Sequence, residues 1–191
     1  MADFERFLAA FKVTARAGTP SWQDAGQAGW SGLMGSHGGS TFEQGLYRLH
    51  TSASSESARE DLSDGFPELR RGIDLFGYDW LGRQFGTRRQ APVPVLMFDL
   101  GSGDVLEIPV TFVEFHDAEL VDYRDAALAS DFFASWTSGH PETIPLAFDQ
   151  CVGYRIPLFL GGRDDLDNLE VTDLSVYLSL SAQLWGQVRA K

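Results

Sequence analysis

Cysteine occurs once in the 191 residues, as Cys151, which excludes an internal disulfide. Cysteine-built zinc sites go with it, and the four histidines, His37, His50, His116 and His140, are never one helical turn apart. Long hydrophobic runs are missing too: nothing approaches the roughly 18 apolar residues of a membrane span. The opening MADFERFLAAFK threads charges through its apolar residues and shows neither a basic start nor a cleavage site, so no signal peptide is expected. A cytoplasmic protein without a membrane partner is the resulting expectation. Hydrolase and nucleotide signatures are lacking: there is no GxSxG, no HExxH and no phosphate-binding glycine loop with a lysine.

Positive charge is scarce in one half only. Residues 1–98 hold 11 acids against 10 bases, while residues 99–191 hold 16 acids against 5 bases, within a formal net charge of -12. Such a field repels nucleic acid and steers basic partners inward. The pairs Arg70-Arg71 and Arg88-Arg89 read as local counter-charges, since the basic footprint of a nucleic-acid binder is missing. The acids gather in Glu114, Asp117, Glu119, Asp122 and Asp125, with His116 among them as a surface histidine, and again in Tyr154–Asp173. That second stretch runs from apolar Ile156–Leu160 through Gly161-Gly162 to Asp164, Asp165, Asp167, Glu170 and Asp173. It suggests a buried strand delivering an acidic loop next to a closing helix. It is not an EF-hand loop, because Leu169 and Glu170 fall where an oxygen ligand and the central glycine belong. No cofactor or metal is expected.

Periodicity gives the elements. Asp3–Phe11 reads as a short amphipathic helix with Phe4, Phe7, Leu8 and Phe11 on one side, stopped by Gly18 and Pro20. Residues 18–45 hold eight glycines, among them Gly26, with Trp22, Trp30, Leu33 and Met34 interleaved, so a packed but irregular segment is expected, GSHGG at 35–39 being a flexible loop. Phe42–His50 reads as a strand, and Ser54 or Ser55 as the cap of a helix through Leu62. Two short strands are expected around Gly77 and Gly82. Residues 93–113 read as a hairpin about Gly101–Asp104, its second strand an edge because of Pro109. Residues 125–136 read as a helix capped by Asp125, and Asp173 caps a final helix lined by Leu174, Tyr177, Leu178, Leu184, Trp185 and Val188. Without a βαβ rhythm, the fold class is mixed α+β around a mainly antiparallel sheet with flanking amphipathic helices.

The segments LYRLHTSAS (46–54), FGYDWLGRQF (76–85), VLMFDLGSGDVLEIPVTFVEFH (95–116), ALASDFFASW (127–136) and CVGYRIPLFLGGRDDLDNLEVTDLSVYLSLSAQL (151–184) resemble the type VI secretion immunity proteins of the Tdi family. The last block, with YRIPLFLGG followed by DNLE, carries most of the likeness. The resemblance implies a GAD-like N-terminal region over 1–90, a Tdi-type C-terminal domain over 91–191, and a scaffold similar to the SMI1/KNR4 group. It implies a non-catalytic protein that neutralises a cognate nuclease (DNase) toxin. An acidic inhibitor suits the electropositive cleft of such a toxin. The expected contacts are Asp164, Asp165, Asp167 and Glu170, then Asp117, Glu119 and Asp122. A regulatory interaction module without a toxin is the second reading, and an enzyme using His116 with neighbouring carboxylates the third.

Overall fold

The structure is a computed structural model that describes residues 4–18, 22, 27–89 and 91–190; Asp3, Pro20 and Gly26 lie outside them. Seven strands form one antiparallel meander in chain order: β1 (Val13–Arg16), β2 (Ser40–Phe42), β3 (Tyr47–Leu49), β4 (Ile73–Asp79), β5 (Gln84–Arg88), β6 (Ala91–Asp99) and β7 (Asp104–Ile108). The sheet therefore continues from β5 to β6 through an antiparallel pair. A separate ribbon pairs β8 (Gln150–Tyr154) with β9 (Leu169–Asp173). The fold is α+β, as expected.

Period-two alternation sorts the sheet's side chains between two apolar clusters. Val95 and Met97 join one, Leu96 and Phe98 the other, and Phe76 and Leu75 divide in the same way. Because both faces are covered, all seven residues of β4 are buried. The first face carries α1 (Glu5–Ala10), α2 (Trp30–His37) and a helical run made of α4 (Phe112–Glu114), a wide π-type turn (Phe115–Glu119) and α5 (Leu120–Asp122). It also carries α6 (Arg124–Leu128) and α7 (Ser130–Gly139). The second face carries α3 (Ser52–Leu62) and α8 (Leu174–Arg189).

Several elements follow the sequence closely. Both strands about Gly77 and Gly82 form, with the register shifting between Leu75 and Gly77 and Gly82 in the left-handed region at φ 79°. The 93–113 hairpin forms with β7 at the sheet edge, but it stops at Ile108, and Leu106 is exposed. Phe4, Phe7 and Phe11 are buried around α1, while Leu8 faces outward.

Other expectations give way. The glycine-rich segment contains a helix, α2, because Trp30, Leu33 and Met34 sit one turn apart and bury together; GSHGG is the end of that helix and the link to β2. Phe42–His50 is the end of β2, a tight turn and β3, with left-handed Gln44 making the reversal. The cap of α3 is Thr51, whose side chain accepts from the Ser54 amide. The 125–136 helix is broken at Ala129 (φ 49°), and Asp125 caps its second part by accepting from Asp131 N at 2.8 Å.

Two corrections bear on function. His116 is not a surface histidine: it is fully buried, because a capping box between Thr111 and Glu114 starts a helix that carries its ring inward. The run 156–160 is not a buried strand. Pro157 removes a backbone donor, Gly161 closes a single tight turn over Leu158–Leu160, and Ile156 and Leu160 are 54% and 48% exposed. The strand of this region is β8, just before it.

Candidate functional site

The seven acids expected to make the contact fall into two groups with different surroundings. In the first, Asp117 reaches α1. Its Oδ1 accepts the Phe7 amide at 2.9 Å and so caps, from outside, a helix whose own first position, Phe4, offers no side-chain oxygen. Asp122 accepts two bonds from the Arg6 guanidinium, at 2.5 and 3.1 Å, and this contact holds its carboxyl below the usual range. Asp117 and Asp122 therefore dock α1. Glu119 makes no side-chain bond among the described residues.

His116, between them, belongs to the core. Its Nδ1 lies 2.8 Å from the Phe112 carbonyl and its Nε2 3.0 Å from the Tyr47 hydroxyl, inside a cage that includes Phe4, Phe7, Phe76 and Phe115. A carbonyl only accepts, so Nδ1 carries the proton and Nε2 receives the Tyr47 hydroxyl. Burial lowers its pKa to about 3, leaving a neutral ring with both nitrogens engaged.

The second group sits on the β8–β9 ribbon. Asn168 clamps the 155–168 turn from inside: Nδ2 donates to the carbonyls of Ile156 and Arg163, both at 2.8 Å, and Oδ1 accepts the Ile156 amide at 3.0 Å. Asp165 caps that turn and pairs with Arg163 at 2.9 Å. Asp164 accepts the Tyr154 hydroxyl at 2.6 Å; burial, then this carboxylate, pushes the phenol well above its ordinary range. Glu170 pairs with Arg155 at 3.4 Å. Asp167 is exposed and makes no side-chain bond among the described residues. Nor does any hydrogen bond or ion pair among those residues join the two groups. Of the seven expected contact acids, Asp167 and Glu119 are thus unengaged among the described residues, Asp165 holds its own turn, and Asp117 and Asp122 hold α1.

A feature the sequence reading passed over lies beside the ribbon. Asp173 caps α8 through the Val176 amide, which starts the helix so that Leu174, Tyr177 and Leu178 go inward. Its outer side is then Val176, Leu180, Leu184 and Val188, exposed by 51, 56, 39 and 36%. These recur every fourth residue and form one apolar crest. The signal was present in sequence as a second stripe, although Leu184 and Val188 read there as inward residues. Two grooves run along α8, and crest residues line only the second. One, of about 340 Å³, lies against α3 and is lined by Ala58, Phe148, Leu174 and Leu178 with Asp61 and Asp149. The other, of about 170 Å³, lies against the ribbon and is lined by Tyr154, Pro157, Leu180 and Leu184 with Glu170.

Of the basic residues singled out in the first half, three are engaged as counter-charges, Arg70 with Asp64 at 3.6 Å, Arg88 with Glu107 at 3.4 Å and Arg89 with Asp74 at 2.7 Å. Buried Arg48 lies over the Tyr78 ring at 5.2 Å. No cluster of three His, Cys, Asp or Glu among the described residues has the arrangement of a metal site, and no helix there is long and apolar enough to cross a membrane.

Fold and surface together define an α+β protein whose second half presents acids around an apolar helix crest. Residues 137–185, from the end of α7 through the ribbon to most of α8, are similar to the family described as T6SS immunity protein Tdi1, C-terminal. Across nearly the whole chain the fold is similar to that of a crystal structure, Atu4351 from Agrobacterium tumefaciens. The TM-score is 0.61 at 14% identity, covering 94% of this chain and 88% of that one. No curated protein matches.

Proposed function

We propose that the protein is a non-catalytic immunity protein that binds and neutralises a cognate nuclease toxin, its acids competing with nucleic-acid phosphate for the toxin's basic groove. The observation that carries this reading is a coincidence of position: the segment matching the Tdi1 C-terminal family is the segment that presents Asp164, Asp167 and Glu170. The net charge of -12, concentrated after residue 98, supports fast association with a basic partner. The role of His116 speaks against an enzyme built on it, because both ring nitrogens are held inside the core.

Co-expression with candidate nuclease effectors tests the proposal. Wild-type protein should rescue growth and co-purify with one effector, with Kd near the nanomolar range or tighter, about -12 kcal/mol. Replacing Asp164, Asp167 and Glu170 together by lysine should abolish rescue and weaken the salt dependence of association. Unchanged binding and unchanged salt dependence in that variant would sink electrostatic capture. A chain that neutralises no nuclease and lies beside no effector gene would instead be a regulatory interaction module.

A further inference from the structure

We infer that the exposed crest of α8 is the apolar anchor of the partner contact, and that it receives an amphipathic segment with an apolar centre and lysine or arginine along the flank that meets α3. The partner's identity as a toxin rests on the immunity reading; the chemistry of the segment is argued from the crest and its rim. From Leu174 to Val188 there is no charged residue, in a chain that is 22% charged. The outer face of a solvated helix is where charge normally collects. Loss of charge from an exposed apolar centre is the compositional mark of an interface core. Here Val176, Leu180, Leu184 and Val188 supply the apolar surface, separated only by serine, glutamine and other uncharged residues.

The rim specifies what fits. Asp61, which accepts the Ser175 hydroxyl at 2.8 Å, and Asp149 line the groove on the α3 side, whereas on the ribbon side Glu170 and its ion-pair partner Arg155 line the groove together and leave no net charge there. Among the described residues Arg189, at the end of α8, is paired with Glu68 at 3.8 Å. A second copy of this chain, packed crest to crest with the two α8 helices antiparallel about a two-fold axis, would bring the acidic flank against its own copy. Like charges so placed oppose association. A segment with apolar residues at the centre and cations along the edge that meets α3 fits both features. Acids alone leave such a contact fast but weak, and the buried apolar centre is what lengthens its lifetime.

The test uses the purified complex with the nuclease effector that wild-type protein neutralises. Leu180→Ser should raise Kd about 10- to 100-fold, the range set by burying one leucine side chain, with the salt dependence retained. Leu106→Ser, at an exposed apolar site on the edge of β7, should change nothing. Unchanged affinity in Leu180→Ser and in the double variant Val176→Ser/Leu180→Ser overturns the inference while leaving the immunity reading intact. If wild-type protein neutralises no nuclease, that reading fails, and a synthetic helical peptide with leucines on one face and lysines on the other decides the surface. Binding that Leu180→Ser abolishes supports the inference; absence of binding, or a wild-type dimer that Leu180→Ser dissolves, overturns it.

Discussion

Acid should weaken the fold through two histidines that folding keeps neutral. His116 and His50 are fully buried, and burial lowers their pKa values to about 3 and about 4. In the unfolded chain each returns to about 6.5. Between those values the unfolded state binds a proton that the folded state does not. Stability from this source is therefore intact above pH 6.5 and is lost as pH falls toward the folded values, by up to about 1.4 kcal/mol per unit per histidine. From pH 7 to 5 that comes to about 2 kcal/mol each, or about 4 together. Asp79 acts the other way. Burial raises its carboxyl to about 6 although Arg83 and two backbone amides pull it down, so its folded form takes up a proton first and offsets roughly 1 kcal/mol. A net loss of about 3 kcal/mol is large beside the 5–15 kcal/mol or so typical of a folded domain. The assay is urea unfolding at pH 7, 6 and 5, read as midpoint and slope. His116→Phe keeps the aromatic cage filled and removes one titrating group. It should cost about 1–3 kcal/mol at pH 7, because the Tyr47 hydroxyl and Phe112 carbonyl lose their partner. It should also remove about half of the histidine-linked loss. A variant whose pH dependence matches wild type would refute the reasoning, since every other titrating group is common to both chains.

Further outcomes follow from the packing. Gly162→Ala should destabilise by about 2–3 kcal/mol, the upper part of the overpacking range, because a Cβ there would meet the Ile156 carbonyl oxygen at 1.8 Å; thermal unfolding measures it. Asp117→Ala removes the external cap of α1 and should cost about 1 kcal/mol, with hydrogen exchange rising at Phe7 and Leu8. Cys151 is fully buried and burial pushes its thiol up, so a thiol reagent should leave the native protein unmodified and label it stoichiometrically in denaturant.

Local rules that do not depend on distant partners were legible in the chain. The 93–113 alternation, the turn glycines Gly77 and Gly82, and the Asp173 cap all act within a few residues. What misled were segments where two local signals competed. Around His116 the acids suggested surface, yet the Thr111–Glu114 capping box and the spacing of Phe112, Phe115, His116 and Leu120 describe a helix with a buried side. At 156–160 an apolar run suggested a strand, but a strand needs a ladder partner, and β9 pairs with residues 150–154 instead. The candidate acids were visible as a group, whereas their division was not: Asp117 and Asp122 answer to Phe7 and Arg6, more than 100 positions away.

By itself, the sequence determined the α+β class, the antiparallel hairpins and the one-sided distribution of charge, because periodicity, turn residues and charge count are properties of neighbouring residues. Tertiary structure alone decided which acids stay unengaged, that His116 is core, and that α8 keeps Val176, Leu180, Leu184 and Val188 outside. A helix carrying two apolar stripes has no local reason to prefer either. The sheet and α3 cover one stripe, and the other is left facing solvent.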